Sequence, residues 1–332
     1  MARRDAGRSP SGGVAVMTEL FELPAELAID TRVARRIMVG FIRGQLRQAG
    51  FERAVLGLSG GIDSAVVAFL AAEAIGPQRL LCVLMPYRTS SSESLEDAQS
   101  IVERLGCASR VVDISPIVDG YFGRAGGVSG VVGGTDGGTD GDRGEGERLE
   151  PGALGPDAAR ASSLRRGNFM ARARMAVLYD LSAAWGGLVV GTGNKTEVLI
   201  GYTTHFGDDA CAFDPVGDLY KSQVRQVAVD LGVPERIIAK PPSADLWPGQ
   251  TDEADVGFSY AELDRLLYWM VDRRRSAEEL AERGFDPRFV ERVARMVAGA
   301  EFKRQVPPIA KLGPRTSGVD YLYPRRRPAP GT

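Results

Sequence analysis

Short apolar runs of strand length alternate with longer stretches of helical spacing along most of this chain. The runs are nearly continuous in apolar residues, which is typical of parallel strands covered on both faces. Four runs have this character, at residues 53–58, 79–85, 110–114 and 188–192. Helical stretches surround them at about 24–48, 65–75, 93–105, 164–184, 220–231 and, in several pieces, 259–304. The pattern predicts an α/β fold, a doubly wound parallel sheet of about five strands with C-terminal helices.

Two tails and one insertion interrupt this pattern. Residues 1–17 and 315–332 lack apolar periodicity and are predicted to be flexible tails. Between about 123 and 163 the chain is glycine-rich, with eleven glycines among the 25 residues from Gly123 to Glu147. Such a segment buries too little apolar surface to order itself, so a flexible insertion is favoured over a lid. One domain over residues 18–312 remains, and its opening helix either packs on the sheet or contributes to a subunit contact.

Composition excludes several classes of function. The 332 residues are 44% hydrophobic with a net charge of −2, so nothing indicates nucleic acid as a main partner. No apolar run approaches the length of a membrane span, and no secretory signal is visible. Three scattered cysteines do not make a disulfide framework, so a cytoplasmic location is expected. His205 is the only histidine, which excludes a two-histidine zinc site and leaves a Ser-His-Asp triad a single possible base.

The strongest chemical motif lies between the first predicted strand and the helix after it. Its sequence is Leu-Ser-Gly-Gly-Ile-Asp-Ser, residues 58–64. Gly60 and Gly61 allow close backbone approach, and a helix start presents unpaired N–H groups to a polyphosphate. Asp63 would repel phosphate unless a cation lay between them, and magnesium is the usual cation. The motif is neither a Walker A loop nor Gly-x-Gly-x-x-Gly, and it resembles the pyrophosphate loop of the ATP pyrophosphatases.

Four further segments narrow the resemblance. They begin at Gly167 (GNFMARARM), Val190 (VGTGNKTE), Asp214 (DPVGDLYK) and Lys240 (KPPSADLW). Together with the first motif they resemble ammonia-dependent NAD synthetases, members of the N-type ATP pyrophosphatases, over roughly residues 25–310 outside the insertion. The resemblance implies an adenine-nucleotide alpha-hydrolase-like, Rossmann-like fold. It also implies ATP-dependent amidation of nicotinic acid adenine dinucleotide by ammonia, through an adenylated carboxylate, with release of AMP and pyrophosphate.

The resemblance also assigns roles to residues, and it requires no covalent nucleophile. Magnesium would be held by Asp63 and Glu197, and the acceptor substrate by Arg172, His205, Asp214 and Lys303. ATP would be bound by Gly57, Leu58, Ser59, Gly60, Gly61, Ile62, Asp63, Ser64, Thr192, Lys221 and Ser243. A homodimer is implied. Because no glutaminase domain is present, ammonia would come from solution or from a separate subunit.

The acceptor half of the resemblance is less complete than the ATP half. Relatives often carry lysine, aspartate and histidine where this chain has His205, Ala212 and Phe302. An alternative is therefore a paralogous amide ligase that acts on another carboxylate. A second alternative is a nucleotide-binding sensor without turnover, but retention of Asp63, Glu197 and Lys221 argues against it.

Overall fold

The four apolar runs form one parallel sheet in the computed structural model, which describes residues 24–124, 158–243, 250, 252–314 and 316. The strands are β1 (Arg53–Gly57), β2 (Leu80–Leu84), β3 (Ala108–Val111) and β4 (Gly187–Val190), in the order β3-β2-β1-β4. Val55 pairs with Leu81 on one side and with Val189 on the other. A parallel bridge between Val190 and Phe213 extends the sheet beyond β4. The predicted α/β class and parallel sheet are confirmed, with four strands among the described residues.

The helices follow the predicted order closely. They are α1 (Thr31–Ala49), α2 (Ile62–Ile75), α3 (Ser92–Leu105), α4 (Ser115–Arg124), α5 (Ala158–Trp185), α6 (Lys195–Ile200), α7 (Lys221–Leu231), α8 (Glu235–Ala239), α9 (Asp252–Val256), α10 (Tyr260–Leu267), α11 (Ala277–Glu282) and α12 (Pro287–Gly299). A π-helical turn, Tyr268–Asp272, continues α10, and 3-10 turns cover Ala25–Leu27, Pro77–Arg79 and Glu301–Arg304. Among the described residues, no helix combines the length and apolarity that a membrane span requires.

Helices cover both faces of the sheet, as the doubly wound pattern predicts. On one face, Leu56, Cys82 and Val190 join a core with α1, α2, α3 and α7. On the other face, Val55 and Val83 pack against α5. A second apolar cluster joins α10, α11 and α12, so the C-terminal helices have their own core. The chain order reverses between β1 and β4, and in open α/β sheets ligands bind at the carboxyl ends of strands at such a point.

Three predicted boundaries need correction. The first helix begins at Thr31 rather than Pro24, because Asp30 caps it by accepting from the Val33 amide. The third strand ends at Val111, although Ile114 still donates to the Pro86 carbonyl, so pairing continues irregularly. Helices α4 and α5 overlap the ends of the predicted insertion at 123–163. The rest of that segment, residues 125–157, lies outside the described residues, as do the predicted tail 1–17 and all of the predicted tail 315–332 except Thr316.

Helix α1 packs on the sheet along one side and keeps apolar side chains exposed along another. Met38, Val39, Ile42 and Leu46 are buried against the rest of the fold. On its other side, the side chains of Val33, Ile37 and Phe41 remain exposed, Ile37 by 64%. We call these three residues the α1 stripe.

Candidate active site at the carboxyl ends of β1 and β4

We call residues 58–64, which follow β1 and enter the first turn of α2, the glycine loop. One position in this loop has a backbone geometry that only glycine tolerates. Gly60 has φ of +83°, and a Cβ at this position would collide with the backbone carbonyl of Ser94 in α3. Helix α2 then begins at Ile62 with Gly61 as its N-cap, and no side chain caps its amides. Uncapped amides at a helix start suit a polyphosphate.

The two serines of the loop are bonded to each other. Ser59 Oγ lies 3.1 Å from Ser64 Oγ, and the Ser64 hydroxyl lies 3.0 Å from the Gly61 carbonyl oxygen, to which it can donate. The side chains of Leu58 and Ile62 are buried in the core. Of the predicted ATP contacts in this loop, Leu58 and Ile62 therefore offer only backbone groups.

The turn after β4 reaches the glycine loop through one side chain. Asn194, fully buried, caps α6 by accepting from the Glu197 amide, and Glu197 reciprocates at the Asn194 amide. The Asn194 amide nitrogen also donates to Asp63 Oδ1 over 3.0 Å. Sequence reasoning assigned Asn194 no role, although the spacing Asn-x-x-Glu at a helix start is a capping-box pattern.

Lys221 joins the two predicted metal ligands. Its Nζ lies 2.6 Å from Asp63 Oδ2 and 3.0 Å from Glu197 Oε1. The Lys221 side chain is only 3% exposed. A charge buried this deeply is stable only with close partners of opposite sign, and the two carboxylates supply them.

Burial and neighbouring charges shift the pKa values of both Glu197 and Lys221. Burial raises the pKa of Glu197, Lys221 opposes the shift, and the Asp63 and Asp252 carboxylates add to it. Burial would lower the pKa of Lys221, but the three carboxylates outweigh it and raise that pKa. The single ammonium of Lys221 thus faces three carboxyl groups. This excess of carboxyl groups over cations favours the binding of a further cation.

Asp252 is the third of these carboxyl groups, and sequence reasoning missed it. It is 4% exposed and accepts from the hydroxyls of Tyr260 (3.1 Å) and Tyr202 (3.2 Å). Burial raises its pKa, and Lys221 partly offsets that. No local pattern identified Asp252, because its partners lie on α10 and in the loop after α6.

Asp264 is a second missed residue, and it supports the first turn of α7. Its carboxylate is fully buried and accepts from Thr196 Oγ1 (2.5 Å) and from the Ser222 amide (2.7 Å) and hydroxyl (2.6 Å). Thr196 Oγ1 in turn accepts from the Lys221 amide. This network fixes the position of the Lys221 backbone at the start of α7. A lone aspartate within an amphipathic helix was the available signal.

The other two predicted ATP contacts flank the site. Thr192 is half-buried and follows Gly191 directly at the end of β4. Ser243 is exposed and follows Pro242, whose carbonyl accepts from the Asp252 amide over 2.9 Å. Both residues thus lie close in the chain to members of the carboxylate cluster, Thr192 to Glu197 and Ser243 to the partner of Asp252.

On the acceptor side, Arg172 and His205 are brought together. Arg172 Nη2 donates to the His205 backbone carbonyl over 3.0 Å. His205 Nδ1 lies 2.9 Å from Asp209 Oδ2, and its ring packs against Phe206 and Phe302. Among the described contacts, the histidine ring is thus oriented by Asp209 and two aromatic rings.

Lys303 lies next to this loop. Its ammonium donates to the backbone carbonyls of Gly201 (2.7 Å) and Thr203 (2.6 Å), so it orders the loop that carries His205. Burial lowers its pKa, while Asp208 and Asp209 oppose the shift. The aspartate that relatives often carry at Ala212 is absent, and Ala212 is exposed.

Asp214 lies beneath the β4 turn rather than in the loop of His205. Cβ atoms added to Gly191 and Gly193 would contact its side chain at 3.1 Å and 3.3 Å, and it accepts from the Val216 amide. Burial raises its pKa to about 7. The structure therefore joins Arg172, His205 and Lys303 in one neighbourhood and places Asp214 closer to the ATP side.

Hard oxygen ligands for magnesium are present but few. Asp63 and Glu197 flank one cation, Lys221 Nζ. Within the described ranges, no three His, Cys, Asp or Glu side chains converge into a metal-binding group. Such a pair fits magnesium only as an ion completed by substrate phosphates and water, which is how this metal is commonly held.

Known proteins are similar to this chain in sequence and in fold. The NAD synthase family model matches residues 34–140 and 153–307. The NH(3)-dependent NAD(+) synthetase of Chlorobaculum parvum is 47% identical over 302 residues, which are 91% of this chain and 97% of that protein. The corresponding protein of Trichlorobacter lovleyi is 46% identical over 91% of this chain and 98% of its own.

Two solved structures are similar as well. The NH3-dependent NAD synthetase of Campylobacter jejuni superposes with a TM-score of 0.64 and 31% identity, over 86% of this chain and 100% of that one. An NMN synthetase from Francisella tularensis superposes with a TM-score of 0.66 and 27% identity, over 85% and 99%. The predicted fold and ammonia-dependent NAD synthetase class are thus confirmed. The chain belongs to the NAD synthase family.

Proposed function

We propose that this chain amidates nicotinic acid adenine dinucleotide to NAD, with ATP as the activating substrate and ammonia as the nitrogen donor. The observation that carries the proposal is the Asp63–Lys221–Glu197 group at the meeting point of the two phosphate-facing turns. A carboxylate oxygen of the dinucleotide attacks the α-phosphorus of ATP, and the bond to the β-phosphate oxygen breaks. Ammonia then attacks the adenylated carbonyl, AMP leaves, and the nitrogen loses a proton.

The chain contributes position and charge rather than a covalent nucleophile. The amides of the glycine loop and the uncapped start of α2 hold the phosphates that leave. Lys221 adds a fixed positive charge whose orientation is set by two carboxylates. Thr192 and Ser243 complete the ATP side. Arg172, His205 and Lys303 position the dinucleotide, and Asp214 supports the turn between the two substrates.

Magnesium is proposed at Asp63 and Glu197. The group has more carboxyl groups than cations, and one or two protein carboxylates with substrate phosphates are a usual magnesium environment. The bound ion would offset the negative charge of the ATP phosphates.

A homodimer is proposed as the working unit. The α1 stripe of Val33, Ile37 and Phe41 presents partly exposed apolar side chains at i, i+4 and i+8, and the Phe41 ring also contacts Phe213 edge-on. A second copy of the chain is the proposed cover.

The cysteines Cys82, Cys107 and Cys211 are free thiols, which supports a cytoplasmic location.

The direct test is product identification after incubation with ATP, magnesium, ammonium and nicotinic acid adenine dinucleotide. Equal amounts of NAD, AMP and pyrophosphate are expected. The alternative is the same chemistry on another carboxylate, and the similarity to an NMN synthetase suggests nicotinic acid mononucleotide as the competitor to assay. A much higher kcat/KM for the mononucleotide would favour that alternative over the dinucleotide.

A further inference from the structure

Behind the glycine loop, two cations share one buried carboxylate. Asp97 on α3 has a side chain that is only 3% exposed, and it pairs with Arg236 Nε at 2.8 Å and Lys240 Nζ at 3.1 Å. A carboxylate this deeply buried needs such partners, because desolvation of the charge is costly. Both cations come from the same short stretch of chain, α8 and the residue after it.

Lys240 makes two contacts that Arg236 lacks. Its Nζ lies 3.2 Å from the Ser94 hydroxyl and 4.0 Å from Oε1 of the exposed Glu93. Ser94 is in the first turn of α3, and its backbone carbonyl is the surface against which Gly60 fits without room for a Cβ. A shift of this turn would therefore move directly into the glycine loop.

On its other side, Lys240 is followed by Pro241 and Pro242, which reach the Asp252 side of the proposed ATP site. The Pro242 carbonyl accepts from the Asp252 amide, and Asp252 contributes to the negative field around Lys221. Lys240 and the two prolines after it therefore connect α3, behind the glycine loop, to Asp252 at the start of α9.

We propose that Lys240 is a positioning residue for ATP, which sets the spacing between the glycine loop and the Pro242–Asp252 contact without touching substrate. It acts through Ser94 on the loop side and through the backbone of the two prolines on the other side. The proposal rests on the proposed function, since it assigns Lys240 to the ATP half of that site. Asp97 supplies the charge that keeps the Lys240 ammonium in place.

The test compares Lys240→Met with Arg236→Met. Both variants remove one of the two cations from Asp97, so both lower thermal stability, but only the first breaks the link to Ser94. We expect the KM for ATP to rise about tenfold in Lys240→Met and less than about twofold in Arg236→Met, because small displacements of binding groups affect substrate positioning strongly. The KM for the acceptor should stay within about twofold in both.

The Ser94→Ala variant and the wild-type assay separate the positioning role from the proposed function. Ser94→Ala removes the hydroxyl and retains the fold, and it should raise the KM for ATP by about threefold, which covers the case in which Lys240→Met does not fold. Equal ATP parameters in Lys240→Met and Arg236→Met, or an unchanged KM in Ser94→Ala, would overturn the positioning role. A wild-type chain that makes no NAD would contradict the proposed function instead. Release of pyrophosphate from ATP can still compare the two variants in that case.

Discussion

Lys221 Nζ lies 2.6 Å from the Asp63 carboxylate, although 158 positions separate the two residues in the chain. Asp63 is in the first turn of α2, after β1, and Lys221 is the first residue of α7. Because β1 and β4 are neighbours, the turn after each strand reaches the same place, and α7 closes it from the C-terminal side. The contact therefore ties the glycine loop to the residues that follow β4.

The magnesium site proposed at Asp63 and Glu197 predicts a strict metal requirement. Asp63→Asn or Glu197→Gln should lower magnesium-dependent pyrophosphate release by at least about 100-fold, because each removes a hard ligand and part of the field around Lys221. Glu73→Gln is the matched control, since Glu73 is an exposed carboxylate on the same helix α2 that pairs with Arg35. Assays across a magnesium titration provide the measurement. Turnover near the wild-type rate in either variant would remove that residue from the metal site.

The glycine loop predicts intolerance of a single methyl group. Gly60→Ala should destabilise the fold by more than about 1 kcal/mol and reduce activity, because of its positive φ and the clash with the Ser94 carbonyl. Gly44→Ala in α1 is the control, since nothing lies within 4 Å of the added Cβ, and it should stabilise by roughly 0.5–1 kcal/mol. Denaturant unfolding measures both. If the two variants were equally stable, the close approach to Ser94 would be wrong.

Much of the fold could be predicted because its signals are local. The apolar runs of β1, β2 and β4 and the helix-ending glycines Gly50 and Gly106 lie within short windows. The first predicted helix was misplaced at its start because Pro24 allows a helix to begin, whereas Asp30 supplies the actual cap.

The candidate site could be predicted only where motif and resemblance coincided. The glycine loop, Glu197 and Lys221 carry such motifs, and the structure brings them together. Asp252 and Asp264 could not be found, because their roles depend on hydroxyls and amides from other helices. Lys303 was expected at the substrate, and its bonds to two backbone carbonyls could not be inferred from its position near the C-terminal end.

Asp214 predicts a pH dependence of stability. Burial raises its pKa to about 7, above the value of about 4 for an unfolded chain, so the folded state retains a proton that the unfolded state releases. Its contribution to stability is complete below about pH 4 and is lost as the pH rises through about 7. Asp214→Asn, neutral throughout, should reduce the fall in Tm between pH 5 and pH 8 by at least roughly 2 °C.

The control for this measurement is Asp218→Asn, because the Asp218 side chain is 99% exposed and lies four residues away. It should leave the pH profile of Tm unchanged. Identical profiles for wild type and Asp214→Asn would show that Asp214 is already charged in the folded chain at neutral pH.

The α1 stripe predicts the subunit contact. Ile37→Glu places a charge at a position that is 64% exposed in one chain, so folding of the single chain should change by less than about 0.5 kcal/mol. In sedimentation velocity the variant should shift from dimer to monomer, since burying an unpaired charge between subunits is costly. Ile117→Glu on α4, at a position 46% exposed, should remain a dimer. A wild-type chain that sediments as an active monomer would contradict the proposal.

The fate of one carboxylate oxygen tests whether the substrate is adenylated. If the substrate carboxylate attacks the α-phosphorus of ATP, one of its oxygens leaves with AMP when ammonia displaces the adenylate. Nicotinic acid adenine dinucleotide labelled with 18O in its carboxylate should therefore give NAD and AMP that carries one 18O, detected by mass spectrometry. Unlabelled AMP formed together with NAD would contradict the account.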